Sequence, residues 1–171
     1  MLELDVHMTK DGEVLIAHDS DLSRMCGDAY KDKYVRDYNY EDLPPMQRKI
    51  TMHLSPGDYT LRDEEDGKFT LLKDLFAICP SDVMISIDMK DASNEICEKV
   101  NELVKEYKRE DVTVWGSMFK EQHEMVQKLN PNVSTFYSGS QVMKTYLCFL
   151  CGCLFCCPLN GDVLMTTHMT S

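Results

Sequence analysis

The sequence predicts an α/β fold in which helices connect the strands of a parallel sheet. Several short segments alternate apolar and polar residues with the period of two that is typical of β-strands, and segments with helical spacing lie between them. Strands and helices that alternate in this way favour strand–helix–strand units and therefore a parallel sheet. The chain has 171 residues, of which 43% are hydrophobic, and this is enough for about one globular domain.

The first predicted strand, residues 2–6, carries two acidic side chains on one face. Glu3 and Asp5 alternate with apolar residues, so the two carboxylates point the same way. Neighbouring carboxylates repel each other, and a divalent cation between them removes that repulsion. The pair therefore indicates either a metal site or the solvent-facing side of a half-buried strand.

A tight turn and a second strand follow the acidic pair. Thr9 to Gly12 have the composition of a turn, in which Asp11-Gly12 allows a sharp reversal. The apolar run of residues 13–17 predicts the second strand, and His18 comes where the chain leaves it. Because barrel and open α/β enzymes place catalytic groups at strand ends, His18 is a candidate for chemistry.

The segment from Met25 to Thr70 is predicted to consist mostly of loop. It is polar and irregular, with a short helical turn within residues 37–45 and a further turn at residues 55–58. The charge run of residues 62–67 predicts a solvated loop, because it lacks the spaced ligands of a calcium-binding loop.

A helix is predicted over residues 70–80 and a strand over residues 83–90. The helix has Thr70 as its capping residue and ends at the proline that follows. In the strand, alternation places Asp88 and Lys90 on one face. If this strand lies beside the first one in a parallel sheet, that face also carries the first two carboxylates. The alternative is an ion pair within the strand.

The pattern then repeats, with a helix over residues 94–109, a strand over 112–117, a helix over 120–129 and a strand over 133–138. Trp115 is predicted to be a core or rim aromatic residue rather than a substrate contact. The other histidines are predicted to occupy surface or loop positions: His7, His53, His123 and His168.

The net charge argues against some classes of binding partner, and the cysteines indicate the redox compartment. A net charge of −11 argues against nucleic acid or an anionic membrane surface as an electrostatic partner, because both attract basic proteins. No secretory signal is visible, so the eight cysteines are predicted to be free thiols in a reducing compartment.

An uncharged segment of fifteen residues, 145–159, contains five of the cysteines. It is shorter than the roughly twenty residues that span a bilayer. A buried helix, a membrane-interface segment and a lipid-facing helix with acylated cysteines all stay open. The expected organisation is a catalytic-type domain over 1–143, an apolar Cys-rich segment over 144–159 and a C-terminal tail over 160–171.

Three motifs together resemble the signature of the glycerophosphodiester phosphodiesterase family. They are Glu3-Leu4-Asp5, the turn Thr9 to Gly12, and His18-Asp19 followed by Leu22 and Arg24. The order and spacing are most similar to those of the eukaryotic members regarded as lysophospholipase D enzymes. The resemblance implies a partial TIM-type (β/α) barrel that lacks its first and last strands and has two open edges with unpaired backbone groups.

The resemblance also implies a site. Glu3, Asp5 and Asp88 would bind a divalent metal, Mg²⁺ or Ca²⁺, Lys90 would contact the substrate phosphate, and His18 would act as a general acid–base group. The family typically has glutamate at the position of Asp88, so the carboxylate here is shorter by one methylene. A bound metal would also provide the local positive charge that an acidic protein needs for an anionic phosphodiester.

The expected function is metal-dependent hydrolysis of glycerophosphodiesters or lysophospholipids in lipid metabolism, on the cytoplasmic side of a membrane such as the endoplasmic reticulum. The expected membrane contact is residues 145–159. The family has a second catalytic histidine, in a His-Arg pair upstream of the first carboxylate, and this sequence has no counterpart. A non-catalytic fragment or isoform that binds a relative or a membrane is therefore the alternative. A barrel phospholipase for inositol lipids is a third.

Overall fold

The computed structural model describes residues 1–51, 58–62, 66–91, 93–157 and 161–164. Its strands are β1 Leu2–Met8, β2 Val14–Ile16, β3 Lys49–Thr51, β4 Asp58–Thr60, β5 Ile85–Met89, β6 Thr113–Gly116 and β7 Ser134–Thr135. Its α-helices are α1 Ser23–Cys26, α2 Leu72–Ile78, α3 Asn94–Glu106, α4 Lys120–Leu129 and α5 Gly139–Leu150. Short 3₁₀ turns are Asp28–Tyr30, Val35–Asp37, Tyr40–Asp42, Glu110–Val112 and Leu154–Cys156.

The main sheet has five strands in the order β2-β1-β5-β6-β7, and β3 and β4 form a separate hairpin. Strands β1, β5, β6 and β7 are parallel, whereas β2 turns back through the tight turn and runs antiparallel to β1. Helix α3 connects β5 to β6 and α4 connects β6 to β7, as parallel neighbours require. The predicted α/β class with a parallel sheet is confirmed.

The principal core lies between the sheet and its connecting helices. Helix α3 contributes the fully buried stripe Ile96, Val100 and Val104, which has the helical spacing that predicted it. Trp115 in β6 is also fully buried, which confirms its placement in the core. A second apolar cluster lies under the long loop after β2 and contains Leu15, Leu22, Met25, Val35, Phe69 and Leu71.

Some predicted boundaries were wrong or cannot be compared. The residue that caps α2 is Leu71 rather than Thr70, because the Thr70 carbonyl accepts a hydrogen bond from the Ile16 amide in β2. The predicted turn at residues 55–58 and the predicted charged loop at 62–67 fall largely on residues 52–57 and 63–65, which lie outside the described residues.

The prediction of surface or loop positions was wrong for two histidines. His7 in β1 is 4% exposed and His123 in α4 is 2% exposed. Both lie in regular elements, and histidine is a residue type whose burial is intermediate, so composition alone does not settle its location. His53 and His168 lie outside the described residues.

The edge of the sheet beyond β7 is not open, contrary to the prediction. The amides of Asp162 and Tyr137 donate hydrogen bonds to the carbonyls of Thr135 (2.8 Å) and Val163 (3.0 Å), and the Thr135 amide donates to the Asp162 carboxylate (2.8 Å). Phe136 and Val163 form a parallel bridge. Residues 161–164 therefore pair with the chain as a short parallel strand would.

Helix α5 and the 3₁₀ turn after it have an apolar surface that the described residues leave exposed. The exposed side chains include Tyr146, Leu147, Phe149, Leu150 and Phe155. The interpretation of this segment as a buried helix is therefore wrong. Within the described part of the chain, no helix has both the length and the apolar character needed to cross a membrane.

Candidate active site

The register between β1 and β5 brings the predicted site residues of these two strands together. The two strands are parallel neighbours in which Asp5 lies opposite Asp88 and Glu3 lies opposite Ser86. The Lys90 amide donates a hydrogen bond to the Val6 carbonyl, so the pairing continues to the end of β5. Because alternate residues share a face, the carboxylates and Lys90 lie on one face of the sheet.

The Lys90 ammonium joins the two aspartates. Its Nζ atom lies 2.5 Å from Asp88 Oδ2 and 3.1 Å from Asp5 Oδ1. Burial alone would lower the pKa of Lys90, but the hydrogen bonds and charges of Asp88 and Asp5 raise it overall. The ion pair within the strand, predicted as the alternative to binding roles for Asp88 and Lys90, is therefore present, and it lies on the face that also carries Glu3 and Asp5.

Two of the carboxylates lie in surroundings that disfavour their charged form. Burial raises the pKa of Asp88 despite its hydrogen bond with Lys90, and Asp88 Oδ1 is buried with no hydrogen-bond partner among the described residues. Burial also raises the pKa of Glu3, and the charges of Asp5 and Asp88 raise it further. These donors are the hard oxygen ligands that Mg²⁺ and Ca²⁺ prefer.

The donor set is suitable for a cation, but it is not gathered around a single point. Among the described residues, no three His, Cys, Asp or Glu side chains are arranged closely enough to hold a metal ion as they stand. Lys90 contacts two of the three carboxylates and supplies the positive charge at this place. A cation that binds there would have to displace the ammonium from at least one of them.

His18 lies shortly after β2, the strand that pairs antiparallel with β1. The Ala17 amide donates a hydrogen bond to the Asp5 carbonyl (2.9 Å), which fixes the end of β2 beside the middle of β1. The His18 side chain is close enough to Glu3 and Asp88 that its charge opposes, without reversing, the rise in their pKa that burial causes. The structure therefore brings all five predicted site residues to one region.

Sequence reasoning did not assign roles to Asp19, which contacts His18, or to Arg24, which contacts Asp19. His18 Nδ1 lies 2.6 Å from Asp19 Oδ1, and Arg24 Nε donates to Asp19 Oδ2 at 2.5 Å. Burial would raise the pKa of Asp19, but the hydrogen bonds from Arg24 and His18 lower it overall. The close sequence spacing of these three residues was visible, whereas the contacts depend on the turn between β2 and α1.

Sequence reasoning also missed His7, although the alternation that places Glu3 and Asp5 on one face places His7 there as well. Its Nε2 atom lies 3.3 Å from the His18 carbonyl oxygen, and burial lowers its pKa. It contributes to a cleft of about 180 Å³ that includes the site lysine. The lining residues are His7, Met8, Ser20, Tyr34, Val35, Arg36, Lys90 and Asp91.

A family model described as the glycerophosphoryl diester phosphodiesterase family matches residues 1–149. The chain belongs to this family. The resemblance inferred from Glu3-Leu4-Asp5, the turn after β1 and His18-Asp19 is thereby confirmed.

Curated relatives of this phosphodiesterase chain include lysophospholipases D. It is 36% identical over 161 residues to lysophospholipase D GDPD1 of Rattus norvegicus. The aligned region covers 94% of this chain and 49% of the relative. It is 28% identical over 159 residues to lysophospholipase D GDPD3 of Homo sapiens, and the aligned region covers 93% of this chain and 48% of that relative. The chain spans about half the length of the curated relatives that it matches.

Solved structures of family members share the fold. The glycerophosphoryl diester phosphodiesterase domain of an uncharacterized Mycobacterium tuberculosis protein superposes with a TM-score of 0.66 at 12% identity, over 88% of this chain and 53% of that domain. The Thermotoga maritima glycerophosphodiester phosphodiesterase has a TM-score of 0.54 at 27% identity, over 79% and 47%. The predicted partial TIM-type barrel is confirmed.

Proposed function

We propose that this chain carries a metal-dependent phosphodiester hydrolase site for glycerophosphodiesters or lysophospholipids. The observation that carries the proposal is the register of β1 with β5, which places Asp5 opposite Asp88 and Glu3 on the same face, with the Lys90 ammonium between the two aspartates. Membership of the family and the names of the relatives support the reaction type.

The three carboxylates would hold the cation, Mg²⁺ or Ca²⁺. Support comes from the buried Asp88 Oδ1, which has no hydrogen-bond partner among the described residues, and from the pKa of Glu3, which burial raises and the charges of Asp5 and Asp88 raise further. When bound, such an ion would supply positive charge that stabilises the phosphate oxygens and would favour deprotonation of the oxygen nucleophile. Asp88 is one methylene shorter than the glutamate typical of the family, so we expect weaker coordination than with glutamate.

The protein side chains then have distinct tasks. Lys90 is already close to two carboxylates, and its ammonium would supply positive charge to a phosphate oxygen of the substrate. His18 would transfer a proton between the reacting oxygen atoms, because imidazole changes charge near neutral pH.

The direct test is hydrolysis by the purified 171-residue chain. Glycerophosphocholine and lysophosphatidylcholine should release choline with Mg²⁺ or Ca²⁺, and EDTA or His18→Ala should abolish the release. A panel that includes lysophosphatidylinositol separates this activity from that of an inositol-lipid phospholipase. Absence of turnover with every substrate and ion by a folded chain would contradict the proposal.

Helix α5 and residues 151–157 are proposed to contact a membrane on its cytoplasmic side, such as the endoplasmic reticulum. Their exposed apolar side chains, including Phe149, Leu150 and Phe155, support the proposal. Flotation with neutral phosphatidylcholine vesicles should recover the wild-type chain, and Phe149→Ser/Leu150→Ser/Phe155→Ser should lose recovery. Equal flotation of both proteins would contradict it.

The same exposed surface favours one second candidate, a non-catalytic chain that binds a membrane or a full-length relative. The two candidates predict different results for the same protein. Metal binding and vesicle binding without turnover would favour the non-catalytic chain, whereas turnover that depends on His18 would favour the enzyme.

A further inference from the structure

The carboxylate of Asp19 lies between an imidazole and a guanidinium. One of its oxygens contacts His18 Nδ1 at 2.6 Å, and the other accepts a hydrogen bond from Arg24 Nε at 2.5 Å. Both oxygens are therefore engaged, each by a different partner. A carboxylate held from two sides has little freedom to rotate, so it can hold the imidazole in one orientation.

Arg24 is itself anchored to a different part of the fold. Its Nη1 donates to the Thr51 carbonyl at 3.0 Å, and the Gln47 side chain donates to the Arg24 carbonyl at 2.8 Å. Thr51 belongs to β3, which pairs with β4 outside the main sheet. A continuous series of contacts thus runs from the β3–β4 hairpin through Arg24 and Asp19 to His18.

The chemistry of imidazole makes this series relevant to proton transfer. A carboxylate that accepts from Nδ1 keeps the proton on that nitrogen and makes Nε2 the basic one. It also stabilises the imidazolium that forms when Nε2 takes a proton, as in hydrolases with an Asp-His pair. The His18 side chain is 44% exposed, so packing alone does not fix the orientation of its ring.

We propose that Asp19 and Arg24 are positioning residues for His18, with Asp19 setting its tautomer and orientation and Arg24 tying Asp19 to the β3–β4 hairpin. The proposal rests on the proposed function in one respect, since it assumes that His18 is the proton-transfer group. The contacts themselves do not depend on that assumption, and they can be tested separately from catalysis.

The test compares Asp19→Asn and Arg24→Gln with the matched control Asp21→Asn in the full chain. Asp21 lies in the same turn and holds it through hydrogen bonds from the Ser23 amide (2.8 Å) and the Asp32 amide (2.9 Å). The control therefore removes a carboxylate of the same turn whose hydrogen-bond partners are Ser23 and Asp32. Arg24→Lys keeps the charge without the planar guanidinium and serves as the conservative variant.

Two measurements are made on each variant. The first is kcat and KM for glycerophosphocholine hydrolysis, and the second is the ¹⁵N NMR shifts of the His18 ring, assigned with His18→Gln. Asp19→Asn should lower kcat at least about tenfold to a hundredfold, the range found for partners that orient metal-ligating histidines, with KM changed less than twofold. Its ring shifts should move from the Nδ1-protonated pattern to a mixture, and Arg24→Gln should show a smaller change of the same kind.

The results separate this proposal from the proposed function. Unchanged ring shifts in Asp19→Asn would overturn the positioning role, whether or not the chain turns over substrate. Equal losses of kcat in Asp19→Asn and Asp21→Asn, in proportion to their losses of thermal stability, would also overturn it. Absence of turnover by the wild type would contradict the proposed function alone, because the shifts would still report on Asp19.

Discussion

The sheet face around Asp5 and Asp88 and the surface of α5 combine burial and polarity in opposite ways. The first region buries charged groups and pairs them through Lys90, whereas the second exposes Phe149, Leu150 and other apolar side chains. Buried charges cost free energy even when they are paired, and exposed apolar groups contribute little to folding. Neither arrangement is explained by stability, and each is the basis of a proposed function.

The comparison predicts that the two regions affect activity very differently. His18→Ala should lower kcat for glycerophosphocholine by about 10²–10⁴-fold, because it removes the proton-transfer group. Phe149→Ala should leave kcat for this water-soluble substrate unchanged. Steady-state kinetics on both variants, with circular dichroism to verify folding, is the measurement. Equal losses in the two variants would show that the site is not confined to the sheet face.

The stability lost when an aromatic residue is replaced by alanine should depend on its burial rather than on its size. Trp115→Ala should lower the free energy of unfolding by about 3–5 kcal/mol, because the fully buried indole leaves a cavity. Phe155→Ala should change it by no more than about 0.5 kcal/mol, because that ring is 87% exposed. Urea titrations of both variants test this. A comparable loss in Phe155→Ala would mean that this segment packs on the domain in solution.

The pairing of residues 161–164 with β7 can be broken by a single substitution. A Cβ atom on Gly161 would lie 2.1 Å from the Tyr137 ring, so Gly161→Ala should displace this segment from β7 and cost about 1–3 kcal/mol. Faster hydrogen exchange at the amides of Thr135 and Tyr137, which bond to the segment, would accompany the displacement. Exchange at the wild-type rate would show that the pairing does not protect this edge.

Buried histidines should make the fold sensitive to mild acid. Burial lowers the pKa of His123, so the unfolded chain takes up a proton near pH 6.5 before the folded chain does. The contribution of the neutral His123 to the free energy of unfolding is then fully present above pH 6.5 and is lost as the pH falls toward the pKa of the folded state. The slope is at most about 1.4 kcal/mol per pH unit for this group. Thermal unfolding between pH 5 and 7.5 should show a shallower loss in His123→Gln, and an equal slope would contradict the assignment.

The elements that could be predicted were those with a local pattern. Helix α4 was predicted with its observed limits, and the hairpin of β1 and β2 followed from alternation and Asp11-Gly12. The pairing of residues 161–164 with β7 could not be predicted, because it is a long-range backbone contact of a segment with no periodic signal. The burial of His7 was missed because a histidine on a strand face fits either solvent or core.

Within the site, the residue types could be predicted from the motifs, but their contacts could not. The sequence placed Asp5 and Asp88 on faces that would coincide only if their strands were neighbours, and the register of β1 with β5 decided this. The position of the Lys90 ammonium between the two aspartates, and that of Asp19 between His18 and Arg24, depend on side-chain geometry that no spacing rule contains.

Calorimetric titration of the full chain with Ca²⁺ and Mg²⁺ tests most directly whether Glu3, Asp5 and Asp88 form a cation site. We expect one site per wild-type chain, its loss in Asp88→Asn, and equal or tighter binding in Asp88→Glu, which restores the longer carboxylate. Asp162→Asn, a carboxylate distant in sequence that pairs with β7, should bind as the wild type does. Binding that is undiminished in Asp88→Asn, or absent from the folded wild-type chain, would contradict the account.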